Sequence, residues 1–273
     1  MKKLTVFMMA FLILAGCSQG NQAEEKKQEP KQEDVTLKVA SLIPPMTEIL
    51  DEIKPQLAEE GVKLETVVLS DNVQPNTALA AKEVDANFFQ HVPYMEEFNR
   101  KNNAELVSIT PVYFANYGLY SKKFKSAEEL PEGATVAIAN DVSNIDRSLS
   151  LLAQHDVIKL KEKKDVYYTQ KDIEENPKNL QFKEVDLLML ARAYDDTDAV
   201  LMTPAYAAPL GLTPKSDALL TEGTENDFAI SLVAREDNKD SEAIQKLSKA
   251  INSPEVRKFL KEKYDETAIP AFK

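Results

Sequence analysis

The sequence predicts an α/β protein built as two lobes with a mixed, largely parallel sheet in each. Three observations carry this. Strand-like and helix-like segments alternate along the chain with no internal repeat, the pattern of sheets covered by helices. Hydrophobic residues make up 43% of the chain, enough to bury a core. About 240 residues follow a polar N-terminal stretch, more than one small domain needs.

Val35 to Ala40 alternates and reads as a strand. Ile49, Leu50, Ile53 and Leu57 fall on one face of a helix that Gly61 stops, with Pro55 expected to bend it. Val62 to Leu69 is a second strand. A helix over about Asn76 to Ala81 follows, then an apolar segment containing Phe88 and Phe89, then a helix starting near Pro93. Proline suits a first helical turn because its missing N–H would have no partner there anyway. Leu106 to Ile109 and Val112 to Tyr120 read as separate strands.

Ser126 to Glu129 has the spacing of a capping box opening a short helix. Thr135 to Ala139 is a strand, and the N-cap residues of Asn140 to Asn144 precede a helix to about Gln154. Lys171 to Pro177 reads as a short helix and turn, and Leu180 to Val185 as a strand. Asp186 then caps a helix to Tyr194. A strand over Asp198 to Met202 leads to a helix opened by Thr203-Pro204 and stopped by Gly211. Phe228 to Ala234 is a strand, and amphipathic helices over Ser241 to Ile251 and Pro254 to Tyr264 finish the chain.

The N-terminus carries a processing signal. Lys2 and Lys3 precede an apolar run, Leu4 to Leu14, too short to span a membrane comfortably but suited to a signal peptide. It ends in Leu14-Ala15-Gly16-Cys17, which resembles a bacterial lipobox, and Cys17 is the single cysteine. Residues 1–16 are therefore expected to be a signal peptide and Cys17 a lipidated N-terminus. Residues 17–34, nearly free of apolar side chains, would form a tether. The mature protein is then expected at the cell membrane, facing the extracytoplasmic side.

Composition narrows the chemistry. A net charge of −12 argues against nucleic acid as a partner. Two histidines far apart in sequence and one cysteine argue against a metal site. No GxSxG, HExxH, Walker A or GxGxxG sequence is present, and no carboxylate pair stands out as acid and base, so no enzyme and no cofactor are expected. Phe88 and Phe98 read as core; Phe89, His91 and Tyr94 read as the wall of a site. Asn144 at a helix start and Arg147 one turn on could receive an anion, although an N-cap and a surface arginine would have the same spacing.

From about Val39 to Phe272 the chain resembles the NlpA family of lipoproteins, the MetQ-like methionine receptors of ABC importers. The resemblance rests on Gln74-Pro-Asn-Thr-Ala-Leu, Asp85-Ala-Asn-Phe-Phe-Gln-His-Val-Pro-Tyr94 and Glu97-Phe98-Asn99. Gly118-Leu-Tyr-Ser-Lys-Lys123, Asn140-Asp141, Glu175-Asn-Pro177 and Ile269-Pro-Ala-Phe272 also match. It implies a type II periplasmic-binding-protein fold with a hinge between lobes, lobe 1 comprising 35–117 plus 233–273 and lobe 2 comprising 118–232. It implies crossings near Tyr117 to Tyr120 and Phe228 to Val233, with Tyr117 at the site. Phe89, His91 and Tyr94 would line the pocket from one lobe, and Asn144 and Arg147 would hold an amino acid's carboxylate from the other. The partners implied are an ABC permease and its ATPase.

Four departures fall at the implied pocket. Asn72 stands where the family usually has tyrosine, and Thr203-Pro-Ala205-Tyr stands for Asn-Thr-Asn-Tyr, whose second asparagine contacts the ligand. Val142 to Asp146 and Pro44-Pro45-Met46 differ as well. A lost buried hydrogen bond costs roughly 1–3 kcal/mol. Methionine is thus the family default, with another amino acid, a dipeptide or another small carboxylate as alternatives, and Asp146 or Asn72 as candidate partners for an ammonium group. An enzyme on the same fold or a surface adhesin lipoprotein would be the competing functions.

Overall fold

The computed structural model describes residues 35–273. The leader, Cys17 and the tether lie outside the described residues. The described residues form one compact unit holding two mixed sheets.

In order, the first part of the chain forms β1 (Val35–Ser41), α1 (Met46–Glu59), β2 (Val62–Val68), α2 (Gln74–Ala80), β3 (Ala86–His91), α3 (Val92–Asn102) and β4 (Leu106–Phe114). The middle part forms β5 (Gly118–Tyr120), β6 (Thr135–Ala139), α4 (Val142–Gln154), β7 (Lys159–Leu160), β8 (Ile173–Glu175), β9 (Gln181–Val185), α5 (Leu190–Asp196), β10 (Ala199–Met202), α6 (Pro204–Ala207), α7 (Pro214–Asp217) and β11 (Ala218–Thr221). The last part forms β12 (Ala229–Arg235), α8 (Glu242–Ile251), α9 (Pro254–Lys263) and β13 (Ile269–Pro270).

The first lobe is built on a six-stranded sheet in the order β13-β4-β12-β3-β1-β2; β1 runs parallel to β2 and β3, and β12 antiparallel to β3 and β4. The second is built on β11-β5-β10-β6-β9, with β6 parallel to β9 and β10. Helices cover both faces of each sheet, so the central strands are buried throughout: all six residues of β3 and all four of β10 are buried, the polar Asn87, Gln90 and His91 of β3 included.

α1 buries Met46, Ile49, Leu50, Ile53 and Leu57, one stripe at helical spacing. It runs unbroken through Pro55, whose ring lies on the exposed side. The two strands expected on either side of Pro111 are one strand, β4. Its register against β12 skips Ile109 and Val112, and these bulges flank the proline that lacks an N–H. β5 is a separate strand that belongs to the other sheet. The Ser126 segment forms only one 3-10 turn, Ala127–Glu129, without a side-chain cap bond from Ser126. β7, β11 and β13 are too short to show a period in the sequence.

The chain leaves the first sheet at Phe114 and enters the second at Gly118. It leaves the second at Thr221 and re-enters the first at Ala229. The return crossing thus lies before β12, which belongs wholly to the first sheet, rather than after residue 232. Gly118 allows close strand approach at the first crossing: a Cβ there would lie 3.0 Å from the Leu220 carbonyl oxygen.

Candidate ligand cleft between the lobes

The register of β3 against β12 creates the first wall. Ile230 faces His91, Ser231 faces Gln90 and Leu232 faces Phe88, which leaves Phe89 unopposed. Such a bulge breaks strict alternation. Phe88 and Phe89 therefore both join the same core cluster, yet only Phe89 lines the cavity. Phe88 is sealed against Tyr113 with ring centroids 6.1 Å apart. Phe98 packs at a second, smaller core on the other side of the sheet.

His91 ends β3 and caps α3. Its Nδ1 accepts a hydrogen bond from the Tyr94 backbone N–H at 3.2 Å. The proton consequently sits on Nε2, which donates across the cleft to Asn144 Oδ1 at 3.2 Å. Asn144 is held to receive it: its backbone N–H and Nδ2 both donate to Asp141, the N-cap of α4. Burial, and then the nearby Arg147 charge, push the imidazole down to about 4. The neutral ring is the folded form.

The sign of the resulting pH dependence follows. Between the ordinary histidine value of 6.5 and about 4, the unfolded chain takes up a proton that folded His91 refuses. Stability should therefore fall as pH drops through this window, by up to roughly 3 kcal/mol from this residue. Urea titrations of the protein and of His91→Gln across pH 7 to 4 measure it; parallel curves would remove His91 as the cause.

Arg147 occupies the hinge. Its Nε donates to Glu222 Oε2 at 2.9 Å and its Nη2 to Glu222 Oε1 and to the Ala115 carbonyl, the last at 3.0 Å. The guanidinium lies 4.5 Å from the Tyr117 ring centroid and 4.9 Å from that of Phe228. Glu222 also accepts the Tyr117 backbone N–H at 3.2 Å. One buried ion pair thus ties α4 to both crossing segments. Arg147 and Glu222 are 1% and 5% exposed. Among the described residues, Arg147 Nη1 has no hydrogen-bond partner, and Arg147 lines the cavity.

The cavity holds about 60 Å³, several times the roughly 10–15 Å³ that one water needs. The first lobe supplies Asn72, Phe89, His91 and Tyr94, and the second Asn144, Arg147, Ala205 and Tyr206. Seven of the eight pocket residues expected from the sequence thus meet here. Tyr117 does not: it stands behind Arg147, with its hydroxyl against Ser148 and the Leu201 carbonyl. Asp146 is turned away as well, accepting from Lys163 and the Tyr168 N–H. Asn72 lies beside the Tyr206 hydroxyl, which burial pushes up to about 12. Among the described residues no carboxylate lines the cavity.

Sequence reasoning named Met46, Gln90, Thr203 and Tyr206 only as members of motifs, not as wall residues, and missed Glu222 behind the wall. Tyr206 could have been found, since it sits beside Ala205 in a motif already singled out. Glu222 could not: nothing local separates it from the other 44 acidic residues. Among the described residues no group of three His, Cys, Asp or Glu stands together as a metal site, and no helix is long and apolar enough to cross a membrane.

A cavity lined by side chains of two lobes is the architecture of a solute receptor, and comparison with known proteins agrees. Residues 37–272 match the NlpA lipoprotein family model. The chain belongs to the NlpA lipoprotein family. It is 39% identical to the methionine-binding lipoprotein MetQ of Bacillus subtilis (strain 168), over 99% of both chains. Among solved structures, a YaeC-family lipoprotein from Enterococcus faecalis V583 is 42% identical, with a TM-score of 0.78, covering 88% of this chain and 100% of that one. A nutrient-binding protein from Burkholderia cenocepacia bound to methionine is 36% identical, with a TM-score of 0.83, covering 86% of this chain and 100% of that one. This NlpA lipoprotein therefore shares its two-lobed fold with substrate-binding proteins along nearly the whole described chain.

Proposed function

We propose that this chain is the solute receptor of an ABC importer, that it closes on methionine or a closely related amino acid, and that it delivers the ligand to a permease driven by its ATPase. The observation that carries the reading is the interlobe cavity, sized for a small solute, with an Arg147 Nη1 in its wall that no described residue engages. A carboxylate against Nη1, with the thioether among Phe89, Met46 and Tyr206, would use these groups as they stand. The relatives named for binding methionine support the choice of ligand. No catalytic group is required.

The test is mass spectrometry of the solute released on denaturation, followed by calorimetry of the refolded protein with L- and D-methionine. Ligand at a hundred times its Kd should add about 2.7 kcal/mol of stability. Neither isomer binding, with no amino acid released, would reject the reading.

Localisation follows from Cys17. Lipidation there would hold the receptor at the membrane on the extracytoplasmic side. Cys17→Ser is expected to move the protein from the membrane fraction to the soluble or unprocessed pool. An unchanged membrane fraction on fractionation and blotting would refute the anchor.

A further inference from the structure

α3 begins at the cavity, and among the described residues two hydrogen bonds hold its first turn to the second lobe. Inside the protein, His91 Nε2 donates to Asn144 Oδ1 of α4. Further from the cavity, the Tyr167 hydroxyl donates to the Pro93 carbonyl at 2.8 Å. Tyr94, the next residue of the same turn, lines the cavity. Burial, then the Glu97 and Glu96 carboxylates, push the Tyr167 phenol up to about 12, so it stays protonated as the donor. Tyr167 belongs to residues 161–169, which run without helix or strand from β7 to a 3-10 turn, Gln170–Asp172.

This segment is fixed at both ends and in its middle. The Lys161 N–H donates to the Asp172 carbonyl at 2.9 Å. The Thr169 N–H and hydroxyl both donate to Asp172 Oδ2, at 2.8 and 2.7 Å. The middle is held by Asp146 on α4, whose Oδ1 accepts Lys163 Nζ and the Tyr168 N–H, each at 2.8 Å. The Lys163 ammonium also lies 4.7 Å from the Tyr168 ring centroid. The Asp146 side chain is 9% exposed, so these charge-assisted bonds are shielded from water. Fixing the Tyr168 backbone fixes where the neighbouring Tyr167 side chain begins. α4 thus presents Asn144 to His91, Arg147 to the cavity, and between them Asp146 to the segment that carries Tyr167.

A bond that joins two lobes must break before they separate. Resting on the reading of the cleft as a receptor site, we propose that residues 161–169 are a latch on it. Tyr167 is a positioning residue that grips the first turn of α3, and Asp146 holds Tyr167 in place. Neither side chain lines the cavity. The latch therefore governs escape of a bound solute rather than its entry.

The test measures uptake and release of radiolabelled L-methionine by rapid filtration. Tyr167→Phe keeps the ring and removes only the hydroxyl. It should release methionine threefold to tenfold faster, the loss of one hydrogen bond, with association within twofold of the parent. Asp146→Ala should also speed release, yet add less than twofold in the Tyr167→Phe background, because it acts through Tyr167. Should Asp146→Ala fail to fold, Tyr167→Phe decides alone. Unchanged release from Tyr167→Phe overturns the latch, as does slower association with unchanged release. An undiminished Asp146→Ala effect in the double variant overturns the link between the two residues. Hydrogen exchange of the Tyr168 amide, in protein as purified, judges the latch without methionine. Tyr167→Phe should speed that exchange at least threefold, and an unchanged rate overturns the proposal. Failure of the parent to bind methionine rejects the methionine reading and leaves the latch to be decided by exchange.

Discussion

Arg147→Ala is expected to destabilise the protein by about 3–5 kcal/mol and to abolish ligand binding. The sequence alone leaves Arg147 either an arginine that receives an anion or a surface arginine, and gives it no structural partner. The structure places its guanidinium inside the protein, on a Glu222 carboxylate that is 5% exposed. Removing the arginine leaves that carboxylate buried without a cation, and the Ala115 carbonyl loses a donor. Arg147→Lys should recover little, because an ammonium cannot engage both carboxylate oxygens, the Ala115 carbonyl and a ligand from one fork. The joint replacement Arg147→Met with Glu222→Leu should regain most of the stability, since an apolar pair needs no partner, and should still fail to bind ligand. Urea unfolding and calorimetry on the same variants separate the two effects. A single alanine variant within 1 kcal/mol of the parent would mean that the pair is solvated.

Phe88→Ala and Phe89→Ala, adjacent in sequence, should differ in kind. Phe88 is fully buried between the sheet and Tyr113, and its truncation should cost about 3–5 kcal/mol. Ligand affinity, corrected for the unfolded fraction, should change by less than threefold. Phe89 packs edge-on against Tyr94 with centroids 5.9 Å apart and lines the cavity. Its truncation should cost less stability and weaken ligand binding by about tenfold, the loss of one well-packed apolar contact. Equal effects of the two on affinity would mean that the bulge does not separate their roles.

Much of the site was legible in the chain. Pro93 announces the start of α3, and the polar cluster before Val142 announces α4, because capping chemistry is local. His91 and Asn144 could each be marked as a residue at a helix start. That they bond to each other across 53 positions of sequence depends on how two sheets are placed. The assignment of Phe88 to the core and Phe89 to the cavity also agrees with the structure, although strict alternation would put the two on opposite faces. The bulge that brings them together is a property of pairing with β12, which comes about 140 residues later.

The sequence by itself determined what is decided within a few residues: most of the order of strands and helices, the caps of α3 and α4, the apolar stripe of α1, and the motifs that mark the family. Only the tertiary structure decided which side chains share a space. It joined β4 across Pro111, moved the return crossing ahead of β12, set Tyr117 behind Arg147 and gave that arginine a partner in Glu222. Helix capping and periodicity are local and leave a local signature. A buried ion pair between residues 75 positions apart leaves none, because its energy comes from exclusion of water by the rest of the fold.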